Sequence, residues 1–328
     1  MNIKFHRNVG IPFDGSDYAS GIGGLEMQVI ELAKELTKRG HEVEVYVSCS
    51  HPGEYDGVKY KQPSEFKGDG DVSIYVDTVP DAALEKRSKW VTWALTASFR
   101  CYSTQVSYVV CDSPWTLDFY QSIKPSDRYV MIPCGFCYDS CAEPRLPKRP
   151  NSIMFAGHSD KGMDRLADIL GRVRSRIPSA TCSAYGGATL WKYPGNYRQA
   201  LPASLKAAGV DYHGMVPREE LLMAFKTSEV FILPRSTYIE TFGLSTAEAM
   251  ASGCVPICSR RGNLPNLLTE ASGILLEHDG TADEAEAIVE LLLDRERLER
   301  LSEGARAEVK KYDWSNIASL WEKGVLGL

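Results

Sequence analysis

The sequence predicts two α/β domains, each built on a parallel sheet. Three observations carry this. Strand-length apolar runs alternate with helix-length amphipathic runs from the first residues. The alternation pauses at Ala142-Glu-Pro-Arg-Leu-Pro-Lys-Arg-Pro150, whose three prolines read as an interdomain linker, and then restarts. The 328 residues suffice for two domains of ordinary size.

The first strand is expected around residues 3–5. A polar loop carrying Gly21, Gly23 and Gly24 leads into a helix over residues 25–39, where Leu25, Val29, Leu32, Ala33 and Leu36 recur at helical spacing. Lys38 and Arg39 suit the negative end of its dipole, and Gly40 suits its C-cap. Residues 41–47 alternate as a strand, which closes a β-α-β unit and implies a parallel sheet. Further strands are expected at 72–76, 91–95, 108–111 and 129–132. Beyond the linker the reading continues with a strand at 152–156 and a helix at 163–177, which turns Leu166, Ile169, Leu170 and Val173 inward. A strand at 181–185, a helix at 218–225 and strands at 230–234 and 255–258 follow. Amphipathic helices at 283–293 and 296–310 close the second domain, and residues 312–321 form one more helix. The domains are thus expected at 1–146 and 151–311.

Composition narrows the function. A formal net charge of −6 argues against broad nonspecific nucleic-acid binding, though not against a local basic groove. No uninterrupted apolar run approaches a membrane span, and Met1-Asn-Ile-Lys-Phe-His6 reads as the lead into a strand, not a signal peptide. The nine cysteines show no metal-binding spacing, and an odd number without a secretory signal implies reduced thiols. Cys134, Cys137 and Cys141 lie closest together and read as buried or loop residues. Asp69-Gly-Asp71 reads as a turn before a strand, and the basic cluster at 86–90 as a solvated loop.

The most informative stretch is Glu240-Thr-Phe-Gly-Leu-Ser-Thr-Ala-Glu248-Ala-Met-Ala-Ser-Gly253-Cys-Val-Pro256. It sits between two strands, with a helix beginning near its middle. A helix N-terminus after a strand offers free N–H groups and a positive dipole end to phosphate. The two glutamates repel phosphate but accept strongly from hydroxyls. Phosphate on backbone and sugar hydroxyls on glutamate together describe a nucleotide-sugar.

With its Phe-Gly-Leu, Glu-Ala-Met-Ala and Gly-Cys-Val-Pro context, this stretch resembles the family 4 retaining glycosyltransferases of the GT-B fold. The resemblance implies two Rossmann-like domains facing a central cleft. The N-terminal domain would bind the acceptor and be completed by residues 312–328, whose helix crosses back to it. The C-terminal domain would bind the donor. By resemblance Glu248 holds the donor ribose and Glu240 faces the transferred sugar. The backbone N–H groups of Thr241, Phe242, Gly243 and Leu244 meet the diphosphate and sugar. Gly21-x-Gly23-Gly24-Leu-Glu26 resembles the glycine loop near donor phosphates and acceptor, which assigns Gly23 and Gly24. Phe155-Ala-Gly-His158-Ser-Asp-Lys161-Gly162 resembles the diphosphate-binding segment, with Lys161 as its catalytic cation. The arginine usual in that segment is absent. Either His158 contributes, Arg235 substitutes, or fewer charges hold the leaving group. His213-Gly-Met-Val-Pro-Arg218 resembles the segment against the donor base and adds Arg218. The histidine usual in the N-terminal domain is also missing; Trp93 and Trp115 form either a stacking wall for an acceptor or part of the core.

The resemblance implies transfer of a sugar from a UDP- or GDP-linked donor to an acceptor hydroxyl, with retention and without a metal. The acceptor stays open among a saccharide, a lipid, a small metabolite and a hydroxylated nucleic-acid base. A sugar-nucleotide epimerase on the same fold and a non-catalytic nucleotide-sugar-binding protein are the alternatives. The expected location is cytoplasmic, with peripheral membrane attachment left open.

Overall fold

The computed structural model describes residues 1–81, 87–97, 105–187, 203–278 and 280–328, so Lys86 of the basic cluster lies outside the described residues. The chain divides into two compact units, Met1–Phe136 with Tyr312–Leu328, and Cys137–Lys311. The boundary therefore precedes the proline-rich segment, which belongs to the second unit. Arg149 N–H donates to Thr227 O at 2.8 Å, and Lys148 Nζ donates to Phe225 O and Ser252 O at 3.1 and 2.9 Å. Those carbonyls lie at helix C-termini, where no intrahelical donor reaches them, and the segment supplies donors instead.

The first unit holds an eight-stranded sheet. In chain order its strands are β1 (Asn2–Arg7), β2 (Glu42–Val47), β3 (Gly53–Tyr55), β4 (Val58–Lys61), β5 (Val72–Val76), β6 (Lys89–Ala94), β7 (Tyr108–Cys111) and β8 (Tyr129–Met131). Across the sheet they run β3-β4-β2-β1-β5-β6-β7-β8, and only β3 and β4 pair antiparallel. Helix α1 (Gly24–Lys38) connects β1 to β2, and α2 (Pro114–Ile123), capped by Ser113, connects β7 to β8. The α1 face turned inward is wider than the apolar stripe alone. Glu26 and Gln28 are buried with Val29, Leu32, Ala33 and Leu36, whereas Leu25 is only half-buried. Both buried side chains have a partner: Arg7 Nη1 meets Glu26 Oε1 at 2.8 Å, and the Gln28 amide exchanges hydrogen bonds with the backbone of Gly135 at 2.6 and 3.0 Å. Such pairing is what makes burial of a charge or amide tolerable.

Helix α10 (Trp314–Trp321) packs on α1. Its Trp321 ring meets Trp93 edge-on at 5.1 Å, and both are fully buried. Trp93 is therefore core, which removes it as a stacking wall, while Trp115 is half-buried and stacks on Phe119. Asp69 pairs with Lys4 at 2.6 Å and Asp71 accepts from Asn2 N–H at 2.7 Å, so both carboxylates brace the start of β1 and β5.

The second unit holds a six-stranded, wholly parallel sheet of β9 (Ser152–Gly157), β10 (Thr181–Gly186), β11 (Asp211–Gly214), β12 (Val230–Leu233), β13 (Val255–Ser259) and β14 (Ile274–Leu276), ordered β11-β10-β9-β12-β13-β14. Its helices are α3 (Tyr138–Ala142), α4 (Leu166–Arg176), α5 (Arg218–Thr227), α6 (Leu244–Ala251), α7 (Leu264–Leu267), α8 (Thr281–Leu293) and α9 (Arg295–Val309). Strands β9, β12 and β13 are buried almost throughout, as sheets covered on both faces require.

Candidate functional site

Because all six strands of the second unit run parallel, the loops after β9, β12 and β13 leave the sheet at one edge, the C-terminal edge where such sheets receive ligands. This places residues 158–162, 234–243 and 260–263 beside one another, and the predicted residues of this unit lie on them or on the helices that follow, except Arg218, which opens α5 after β11.

Lys161 ends a short 3-10 turn after β9, and Glu240 sits in the loop between β12 and α6. Their side chains form an ion pair at 2.7 Å, and Lys161 Nζ also lies 4.7 Å from the centre of the Tyr238 ring. Burial works against the Lys161 charge, but Glu240 and Tyr238 together outweigh it and hold the pKa above the ordinary lysine value. Two loops far apart in sequence thus meet through a charge pair.

Gly243 has φ +97°, a left-handed conformation that glycine adopts without strain, and it caps α6. Leu244 is the first residue of the helix, so the first-turn N–H groups face the same edge. Phe242 is buried and Thr241 half-buried. Glu248, one turn further in, is buried and paired with the Arg218 guanidinium, which opens α5. Both carboxylates of the motif are therefore held by a cation from another segment.

His158 does not offer a side chain outward. Its Nδ1 accepts from Asp160 N–H at 3.3 Å and caps the turn. Burial lowers its pKa despite Asp160, so the imidazole is neutral near pH 7. The Arg235 side chain is exposed, and its backbone N–H donates to Glu284 at 2.8 Å. Gly23 and Gly24 belong to the first unit, where Gly23 caps α1 and Gly24 begins it.

Sequence reasoning missed the support of this loop. A Cβ on Gly262 would stand 2.3 Å from Glu240 O, so only glycine allows the two backbones to approach. Asn263 N–H donates to Glu240 O at 2.9 Å, its Nδ2 donates to Phe242 O at 3.0 Å, and Arg261 donates to Ser236 O at 2.5 Å. The available signal was Arg261-Gly-Asn263 directly after an apolar strand. Among the described residues no three His, Cys, Asp or Glu side chains gather into a set that could hold a metal ion, and no helix is long and apolar enough to cross a membrane.

The sequence profile described as glycosyl transferases group 1 matches residues 142–308, just over half of the chain and nearly all of the second unit. The chain belongs to that family. Among curated relatives, this family member resembles the sulfoquinovosyl transferase SQD2 of Arabidopsis thaliana, at 29% identity over 157 residues. It also resembles the phosphatidyl-myo-inositol mannosyltransferase of Mycobacterium tuberculosis, at 30% identity over 202 residues. These matches take in 47% and 58% of this chain but only 29% and 52% of the relatives' own length. The solved structure of Anabaena HepE with UDP-glucose superposes over the whole of both chains with a TM-score of 0.77 at 16% identity. At that identity the likeness speaks for the fold alone, and the fold is GT-B.

Proposed function

We propose that this group 1 family member is a retaining glycosyltransferase that moves a sugar from a nucleoside diphosphate sugar to an acceptor hydroxyl, with no metal in the step. The observation that carries the reading is the pairing of each motif glutamate with a cation at the N-terminal region of α6. In this reading the diphosphate settles on the first-turn N–H groups and on Lys161, Glu248 accepts from the ribose hydroxyls, and Glu240 faces the sugar. The bond from the anomeric carbon to the phosphate oxygen breaks while the bond to the acceptor oxygen forms on the same face. The acceptor proton passes to the departing diphosphate. No protein nucleophile takes part. The protein contributes by positioning and by stabilising the negative charge that gathers on the leaving group. The donor unit is the second compact unit, and the acceptor is assigned to the first, with Gly23 and Gly24 beside it. Its class remains among hydroxyl-bearing saccharides, lipids, metabolites and modified bases.

The test is thermal unfolding of wild type and variants with UDP, GDP, ADP and their common sugars, followed by transfer assays. A ligand bound only by the folded state raises the midpoint. One nucleotide series should raise it, and Glu248→Ala should abolish most of that shift. Glu240→Ala should keep nucleotide binding but lower transfer by about 100-fold or more, the scale of a lost transition-state contact. Both variants with full activity would sink the assignment. Donor conversion without acceptor would instead identify an epimerase, and nucleotide binding without any turnover a binding protein. UDP-glucose is the first donor to try, since HepE of the same fold was solved with it.

A further inference from the structure

Glu284 lies in the first turn of α8, on the wall of the second unit, and its carboxylate is wholly buried. A buried carboxylate persists only when its charge and lone pairs are matched. One oxygen, Oε2, accepts from the Arg165 guanidinium at 3.2 and 2.9 Å. The other, Oε1, accepts from the backbone N–H of Arg235 at 2.8 Å. Arg165 and Arg235 come from different loops. Arg165 follows Lys161 and Gly162 after β9, and Arg235 opens the β12–α6 loop that carries Glu240. The loops also touch directly, because a Cβ on Gly162 would stand 2.9 Å from Arg235 O.

An apolar residue would pack α8 against α4 without any of this. A carboxylate there has a geometric effect that packing does not require. It fixes a backbone N–H at the start of one loop relative to a side chain at the end of the other. We infer that Glu284 is a positioning residue for the reaction, tying the loop of Lys161 to the loop of Glu240 so that cation and carboxylate meet across the diphosphate and sugar end of the donor. The inference rests on the function proposed above. Arg218 and Glu248, which hold the nucleoside end in that reading, pair with each other on α5 and α6. Loss of Glu284 should therefore separate the two ends of one ligand.

The experiment measures binding of UMP, UDP and UDP-glucose, with GMP, GDP and GDP-mannose as the second series, to wild type, Glu284→Leu, Glu284→Gln and Arg165→Met, together with kcat and donor KM. In the series that wild type accepts, Glu284→Leu should weaken the nucleotide-sugar by about tenfold, the worth of a lost charge-assisted hydrogen bond. It should leave the monophosphate unchanged. Glu284→Gln keeps an oxygen for one of the two donors and should fall between, and Arg165→Met should shift the same ratio in the same direction. If the Leu variant fails to fold, the Gln and Met variants are read alone. A ratio of nucleotide-sugar to monophosphate affinity that stays at the wild-type value in all variants overturns the inference, as does equal weakening of every ligand. Wild type that binds neither series overturns the donor reading itself, and the assignment with it.

Discussion

His6 illustrates what a single half-buried side chain does to the whole protein. On β1 it stacks on Phe66 with ring centres 4.4 Å apart and meets Tyr75 edge-on at 5.6 Å. Burial pushes its pKa down from 6.5 to about 4, against the opposing pull of Asp81. The unfolded chain therefore takes up a proton near pH 6.5 that the folded chain refuses until about pH 4. Its contribution to stability is complete above pH 6.5 and is lost as pH falls to about 4, on the order of 2–3 kcal/mol. Urea unfolding across pH 4–7 should show this slope in wild type and a flatter one in His6→Gln; parallel slopes would reject it. The ion pairs at the candidate site follow a different logic. Lys161 and Arg218 are each matched to one glutamate, and the pKa of Lys161 is held above the ordinary lysine value.

At the scale of elements, strand ends decide where the chemistry-bearing side chains go. Glu240 stands in an irregular loop, and its place is fixed by the turn after a neighbouring strand, where Gly262 lets the chain pass against Glu240 O and Asn263 binds it. Gly262→Ala must both adopt φ +56° and push that backbone away. We expect a stability loss of about 1–3 kcal/mol, and a transfer rate lowered more than nucleotide affinity. A variant that matches wild type in both would show that the loop is set elsewhere. The alternation that revealed β1, α1, β2, β9, β12 and β13 is strong because those elements are long or wholly apolar. Four short ones stayed hidden: β3 and β4 have three and four residues, β11 four and β14 three, too few for a period to emerge, whereas β7, β8 and β12, equally short, showed as apolar runs. Asp56-Gly57 between β3 and β4 was nevertheless a readable hairpin signal, since both residues take positive φ. Helix α2 was missed because Leu117, Phe119 and Ile123 spread around it, leaving only Thr116 and Tyr120 buried. The paired glutamates of the candidate site were legible as types at a spacing. Their partners were not, because Arg218 lies thirty residues before Glu248, and Glu284 reaches a backbone group forty-nine residues away. A polar residue on an inward helix face carries no local sign of what it meets.

On the scale of the whole molecule, the first unit is discontinuous: Tyr312–Leu328 belongs with Met1–Phe136. Trp321 seals the core against Trp93, and Arg39 binds Glu322 at 2.8 Å and Ser319 at 3.1 Å. Trp321→Ala should cost about 3–5 kcal/mol, the range for a large side chain deleted from a core. Hydrogen exchange should then speed up in β1, β5 and β6 and leave β9, β12 and β13 as they were; equal loosening of both units would contradict this assignment. The same discontinuity has a consequence during synthesis. A ribosome delivers the residues of Cys137–Lys311 before it delivers Trp321, so the second unit has all its strands in hand while the first still lacks a wall of its core. For that interval the nascent chain must carry a sheet whose Trp93 lacks its Trp321 cover. Truncated nascent chains ending before residue 312 are therefore the form in which chaperones should hold this protein longest.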